Sequence, residues 1–94
     1  MEKSVIIEKV HNYIIKESFA EKSDIHTETL IFENNLLDSM GFLFLIDFLK
    51  EEFNIEVEDD ELNNDNFKSI MSISDFVSAK LYKNIQQVSL NTEF

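Results

Sequence analysis

Cysteine is absent from this chain, and with it go disulfide frameworks and thiolate metal sites. The absence fits an intracellular protein. Proline is also absent and glycine occurs once, at Gly41. A turn-rich β sandwich or barrel needs those residues at its corners, so their scarcity argues against such a fold. Arginine is missing too: all eight basic residues are lysine, against 19 carboxylates, for a net charge of −11. Such a chain is repelled by nucleic acid, whose binding depends on neutralising phosphates, and by anionic membranes. Its partners are expected to present lysine and arginine. No apolar run approaches the length of a membrane span. The start, Met1-Glu2-Lys3-Ser4, is charged, so no signal peptide is expected.

What is present is one small domain's worth of sequence, 94 residues with 44% apolar. From Glu2 to about Phe19, Ile6, Ile7, Val10, Tyr13 and Ile14 recur at helical spacing, with Lys3, Glu8, Lys9, Asn12 and Lys16 mostly opposite. This predicts a first amphipathic helix, with His11 off the apolar stripe and exposed. Glu21 to Asp38 lacks sustained periodicity and is rich in turn and cap residues: Ser23-Asp24, Thr27, Thr29 and Asn34-Asn35. It reads as a long loop folded back over the core, with Leu30 and Phe32 as the inward plugs. His26 has no second ligand nearby and reads as a loop residue rather than a metal ligand.

Ser39 to Phe53 predicts the second helix, with Phe42, Leu45, Ile46, Leu49 and Phe53 on one face. Met40, Phe44, Asp47 and Glu51 fall opposite. The carboxylates belong on a solvent face. A methionine beside a large aromatic there suits a partner, unless Phe44 bends under the loop and joins the core. The segment from Asp47 to Asp65 carries nine carboxylates and one lysine, Lys50. Its middle alternates Ile55 and Val57 with Glu56 and Glu58, but a lone strand has nothing to pair with, so 54–65 reads as loop. Glu58-Asp59-Asp60-Glu61 lacks the ligand spacing and central glycine of a calcium-binding loop. Phe67 and Ile70, three apart, suggest one short helical turn over Asn66 to Met71. Ser72 stands three before Asp75, a capping-box-like start for a last helix carrying Ile73, Phe76, Val77 and Leu81. That helix is expected to end near Asn84 or Ile85, leaving 86–94 as a frayed tail from which Val88, Leu90 and Phe94 could dock on the body.

Catalytic patterns are missing. Ser39 has no GxSxG surroundings, and the two histidines sit on the first helix and in the loop. There is no glycine-rich phosphate loop and no zinc spacing. Short helices around one core leave little room for a cleft that would push two carboxylate pKa values apart. No enzyme activity and no catalytic residue are expected. What stands out is Leu36-Leu37-Asp38-Ser39-Met40-Gly41, where the loop meets the most apolar helix. A helix start offers unpaired N–H groups and the positive end of the dipole, a good seat for a phosphate on a serine. Asp38 or Ser39 as a plain N-cap accounts for the same residues.

Taken in order, these parts resemble the acyl carrier protein family, the phosphopantetheine-attachment domains that also include peptidyl and D-alanyl carriers. The likeness runs from about Ile6 to Leu81. It is most specific in Leu36-Leu37-Asp38-Ser39-Met40 and in Leu49-Lys50-Glu51-Glu52-Phe53-Asn54-Ile55-Glu56-Val57. It implies an all-α bundle of three main helices plus one short helix, with a long loop between the first two, a carrier domain over 1–85 and a tail over 86–94. It implies that Ser39 receives a 4′-phosphopantetheine arm from coenzyme A through a magnesium-dependent transferase, with cargo carried as a thioester on the arm's thiol. Asp38 matches the aspartate that helps orient that reaction, and Met40 the apolar residue that partner enzymes contact. Phe44, Asp47 and Glu51 extend that partner face. The expected partners are the phosphopantetheinyl transferase, an acyl- or aminoacyl-loading (adenylating) enzyme and downstream transferases with basic surfaces. The protein itself is expected to be a cytoplasmic monomer. Two departures stand out. Asn35 replaces the glycine common before Leu-Leu-Asp-Ser, and asparagine tolerates the left-handed backbone better than other non-glycine residues. Phe44 stands where many fatty-acid carriers have a polar residue, and the Leu-Leu-Asp-Ser-Met-Gly wording is closer to D-alanyl carriers and to stand-alone carriers that serve adenylating enzymes.

Overall fold

A computed structural model describes residues 2–18 and 25–92, with side chains of the last helix described as far as Lys83. Among these residues four α-helices follow in order: α1 (Lys3–Ser18), α2 (Ser39–Phe53), the short α3 (Asn64–Phe67) and α4 (Ile70–Thr92), with one 3-10 turn at Asp59–Glu61. No strand occurs among the described residues. The fold is the all-α bundle of three main helices and one short helix that the sequence implies. No helix among the described residues is long and apolar enough to cross a membrane.

Three stripes of side chains one turn apart build the core. Ile6, Val10 and Ile14 of α1, Leu45, Leu49 and Phe53 of α2, and Ile70, Ile73 and Val77 of α4 are all buried. Spacings of three or four keep each stripe on one side of its helix. Ile25, Ile31, Leu37, Ile55 and Phe67 fill the space between them. Ion pairs join elements far apart in sequence: Lys3 with Asp75, and Lys9 with Glu52 at 2.6 Å.

The ends of α2 are both fixed by local chemistry. Asp38 caps its start, and Asn54 ends it in the left-handed region at φ 52°. The start of α4 is settled differently from the sequence expectation. Ser69, not Ser72, supplies the cap: its Oγ accepts the Ser72 N–H at 3.1 Å and its carbonyl accepts the Ile73 N–H at 3.0 Å. The short helix likewise lies earlier than Asn66 to Met71, because Asn63 caps it by accepting the Asn66 N–H at 3.0 Å. At its far end α4 continues through Thr92 rather than stopping near Asn84 or Ile85; no glycine or proline interrupts it. The possible docking of Val88, Leu90 and Phe94 concerns side chains outside those described.

The long loop is stitched down by backbone hydrogen bonds. The Ile31 N–H donates to the Lys68 carbonyl at 2.8 Å, and the Thr27 carbonyl accepts the Met71 N–H, a first-turn donor of α4, at 2.9 Å. This changes which residues plug the core. Ile31 is fully buried, Leu30 is 37% exposed and Phe32 is only partly buried against the core. Leu30 and Phe32 were expected inward. The loop curls here into a hydrogen-bonded turn, with Asn34 N–H on the Leu30 carbonyl and Leu36 N–H on the Ile31 carbonyl, so strict alternation does not apply. His11 is half-buried rather than exposed, and its Nε2–H donates to the Ile25 carbonyl at 2.8 Å, tying α1 to the loop. His26 is exposed and belongs to the loop, as expected. No group of three or more metal-binding side chains occurs among the described residues.

Candidate functional site

The loop delivers the chain to α2 in four steps. Asn35 takes a left-handed conformation at φ 56°, the geometry that asparagine tolerates best after glycine. The Leu36 N–H then closes on the Ile31 carbonyl at 2.9 Å. Leu37 buries its side chain, 7% exposed, and anchors the turn. Asp38 is extended, and its Oδ1 accepts the Gly41 N–H at 2.7 Å while its carbonyl accepts the Phe42 N–H at 2.9 Å. Ser39 is therefore the first residue of α2 and lies exposed. With the Gly41 and Phe42 donors used, the Ser39 and Met40 N–H groups are those left at the positive end of the helix. Gly41 is needed for closeness: a Cβ there would lie 3.2 Å from Leu37 Cδ2 and 3.3 Å from Asp38 Oδ1, tightening against the very cap that holds Ser39 in place.

Two clefts lie beside the start of α2, and Ser39 lines the larger. The larger, about 610 Å³, is open to solvent and runs from Asp38 and Ser39 past Phe42 and Leu43 to Leu62, Asn63 and Phe67. Its floor is aromatic. Phe32 meets Phe42 edge-on at 5.5 Å, Phe42 meets Phe67 at 5.4 Å and 80°, and Phe67 meets Phe76 at 5.1 Å. These are the separations that ring quadrupoles favour. The smaller cleft, about 360 Å³, lies on the α1 side, between Glu17 and Ser18 and the Met40–Phe44 turn.

The outer face of α2 is apolar near its start and acidic further on. Met40 is 59% and Phe44 53% exposed, so Phe44 does not bend into the core. Asp47 and Glu51 are exposed along the same helix. Leu43, 57% exposed, completes this face and was not anticipated, although its i, i+3 relation to Met40 marks it. Leu62, Asn63 and Phe67 were not foreseen beside Ser39 either, because only the tertiary fold brings them there. One turn beyond Phe44, Phe48 stacks on Tyr13 of α1 at 4.2 Å. Burial, reinforced by Glu17 and Asp47, pushes the Tyr13 hydroxyl above its ordinary pKa.

Beyond the larger cleft, Glu61 Oε1 accepts the Glu58 N–H at 2.8 Å and pairs with Lys80 at 2.6 Å. Partial burial alone would raise the Glu61 carboxyl. The bonds from Lys80 and from the Glu58 backbone, with the charges of Lys80 and Lys83, outweigh it and hold the group below the usual range.

No protein-family model matches the chain. It is similar to "Probable acyl carrier protein PigG" of Serratia sp. (strain ATCC 39006), with 30% identity over 66 residues that make up 69% of this chain and 76% of that protein. This chain belongs to the acyl carrier protein family. It is a carrier rather than an enzyme, and Ser39 stands exposed at a helix start capped by Asp38. The carrier's helix start, its larger cleft and its graded α2 face all meet at Ser39.

Proposed function

We propose that Ser39 is the attachment point of a 4′-phosphopantetheine arm and that the carrier holds an acyl group on it as a thioester. The observation that carries this reading is the exposed Ser39 hydroxyl on the first turn of α2, behind the Asp38 cap. A phosphodiester there would meet the Ser39 and Met40 N–H groups and the positive end of the helix dipole. The arm would also supply the thiol that a cysteine-free chain lacks. Asp38 serves twice in this reading, capping α2 and orienting the transferase that brings coenzyme A and magnesium. Met40, Leu43 and Phe44 offer an apolar docking face, and Asp47 and Glu51 draw in enzymes with basic surfaces. The proposed partners are a phosphopantetheinyl transferase, a loading enzyme and downstream acyltransferases, with the cytoplasm as the place of work.

An aminoacyl, D-alanyl or peptidyl cargo delivered by an adenylating enzyme is the second reading. It is favoured by exposed Phe44, an apolar contact where many fatty-acid carriers are polar. Incubation with coenzyme A, magnesium and a broad-range transferase tests attachment. The intact mass rises by one arm, peptide mapping puts it on Ser39, and Ser39→Ala abolishes the gain while the fold persists. An unchanged mass, or an arm on another serine such as Ser72, refutes the proposal. Loading with candidate adenylating enzymes, read as thioester mass, separates the two cargo readings.

A further inference from the structure

We propose that Phe42 and Phe67 bar the tethered acyl group from the core, so that this carrier serves short acyl or aminoacyl groups held in the open cleft. The proposal rests on Ser39 being the attachment point and adds the class of cargo. Ser39 lines the mouth of the 610 Å³ cleft, and Phe42 and Phe67 line the same cleft. Behind the rings lie Leu45, Leu49, Ile70, Ile73 and Val77, every one fully buried. An acyl chain growing inward from Ser39 between α2 and α3 has to move one of the two rings. Neither moves alone. Phe67 is itself fully buried and touches Phe42 on one side and Phe76 on the other, and Phe42 also leans on Phe32 from the loop. Displacing one ring therefore disturbs contacts reaching from the loop to α4, in an interior packed at near-crystalline density. The cleft outside the rings is mainly apolar but open, lined by Leu43 and Leu62 and edged by Asn63. A group resting there stays within reach of a partner enzyme and does not first have to be drawn out of the protein.

The test loads the full chain from acetyl-, butyryl-, hexanoyl- and octanoyl-coenzyme A with a broad-range transferase, reading intact mass and then thermal melting. A chain taken into the core would raise Tm by about 3–6 °C for each buried methylene. Confinement to the cleft predicts a Tm that stays within about 2 °C across the series. Phe42→Ala removes the half-buried ring and should restore a Tm that climbs with chain length. Phe67→Leu, milder than alanine at a fully buried site, is the second variant and should show the same climb. A climb in the unaltered protein overturns the barrier while leaving attachment intact. A flat series in both variants also overturns it. Absence of any mass gain is a different failure, which removes the attachment reading and this proposal together.

Discussion

Replacing Ile31 by alanine should be among the most damaging single changes in the loop, and replacing its neighbour Leu30 should cost little. Ile31 is fully buried among core residues, whereas Leu30 is 37% exposed. The substitution leaves the backbone bonds of residue 31 in place, its N–H on the Lys68 carbonyl and its carbonyl on the Leu36 N–H, so it isolates side-chain burial. Large-to-small changes at such sites cost about 2–5 kcal/mol, from lost transfer energy plus the cavity left behind. Domains of this size hold only about 5–15 kcal/mol in total. A mid-range loss of about 3 kcal/mol lowers Tm by about 12–24 °C. Leu30→Ala should stay within about 1 kcal/mol, since part of that side chain is already in water. Urea and thermal melts followed by far-UV circular dichroism measure both. The urea slope should stay unchanged if the two variants remain two-state. A Leu30→Ala loss equal to or larger than that of Ile31→Ala would refute this account of how the loop is anchored.

Ser74 Oγ is fully buried with no hydrogen-bond partner among the described residues. Ser74→Ala should therefore raise stability by about 1 kcal/mol, seen as a higher Tm, and a fall would mean that the hydroxyl is satisfied in solution. Glu61 has a folded pKa below its unfolded value, so its contribution is present above the unfolded pKa and fades as pH drops through the folded one. Urea melts of Glu61→Gln and the unaltered protein should differ by up to about 1 kcal/mol at neutral pH and converge once the pH has fallen below the folded pKa; a gap that widens on acidification contradicts the sign. Phe44→Glu should weaken capture by a loading enzyme several-fold in a binding titration while moving Tm by only a few degrees, because the ring is 53% exposed. A large drop in Tm with unchanged binding would return Phe44 to a structural role.

Much of this architecture is readable from the sequence wherever one helix face must be apolar. The stripes Ile6-Val10-Ile14 and Leu45-Leu49-Phe53 repeat every four residues and are buried as their spacing predicts. Asp38-Ser39 is similarly legible, since a cap signal is local and needs no tertiary knowledge. Several of the misreadings involve choices made by distant partners. Ile31 rather than Leu30 turns inward because its N–H is claimed by Lys68, far along the chain. His11 is drawn from solvent by the Ile25 carbonyl of the loop. Ser69 outcompetes Ser72 as a cap because burying both Phe67 and Ile70 sets where α4 begins. The wall of the larger cleft is the clearest case: nothing local to Leu62 or Asn63 announces that they will face Ser39.

The two asparagines with left-handed backbones, Asn35 and Asn54, bracket α2 closely. With Asp38 fixing one end and Asn54 the other, the helix neither frays nor lengthens by a turn without losing a cap. Its 15 residues make a rod of about 22 Å. Ser39 and Glu51 are then held roughly 18 Å apart along it. The helix acts as a ruler. An enzyme that recognises both ends must carry its cationic patch at a matching distance from the mouth of its active site. Inserting one residue between Phe44 and Asp47 would swing the carboxylates about 100° around the axis without changing the composition of the surface. Partner choice in this carrier would then depend on spacing as well as on charge.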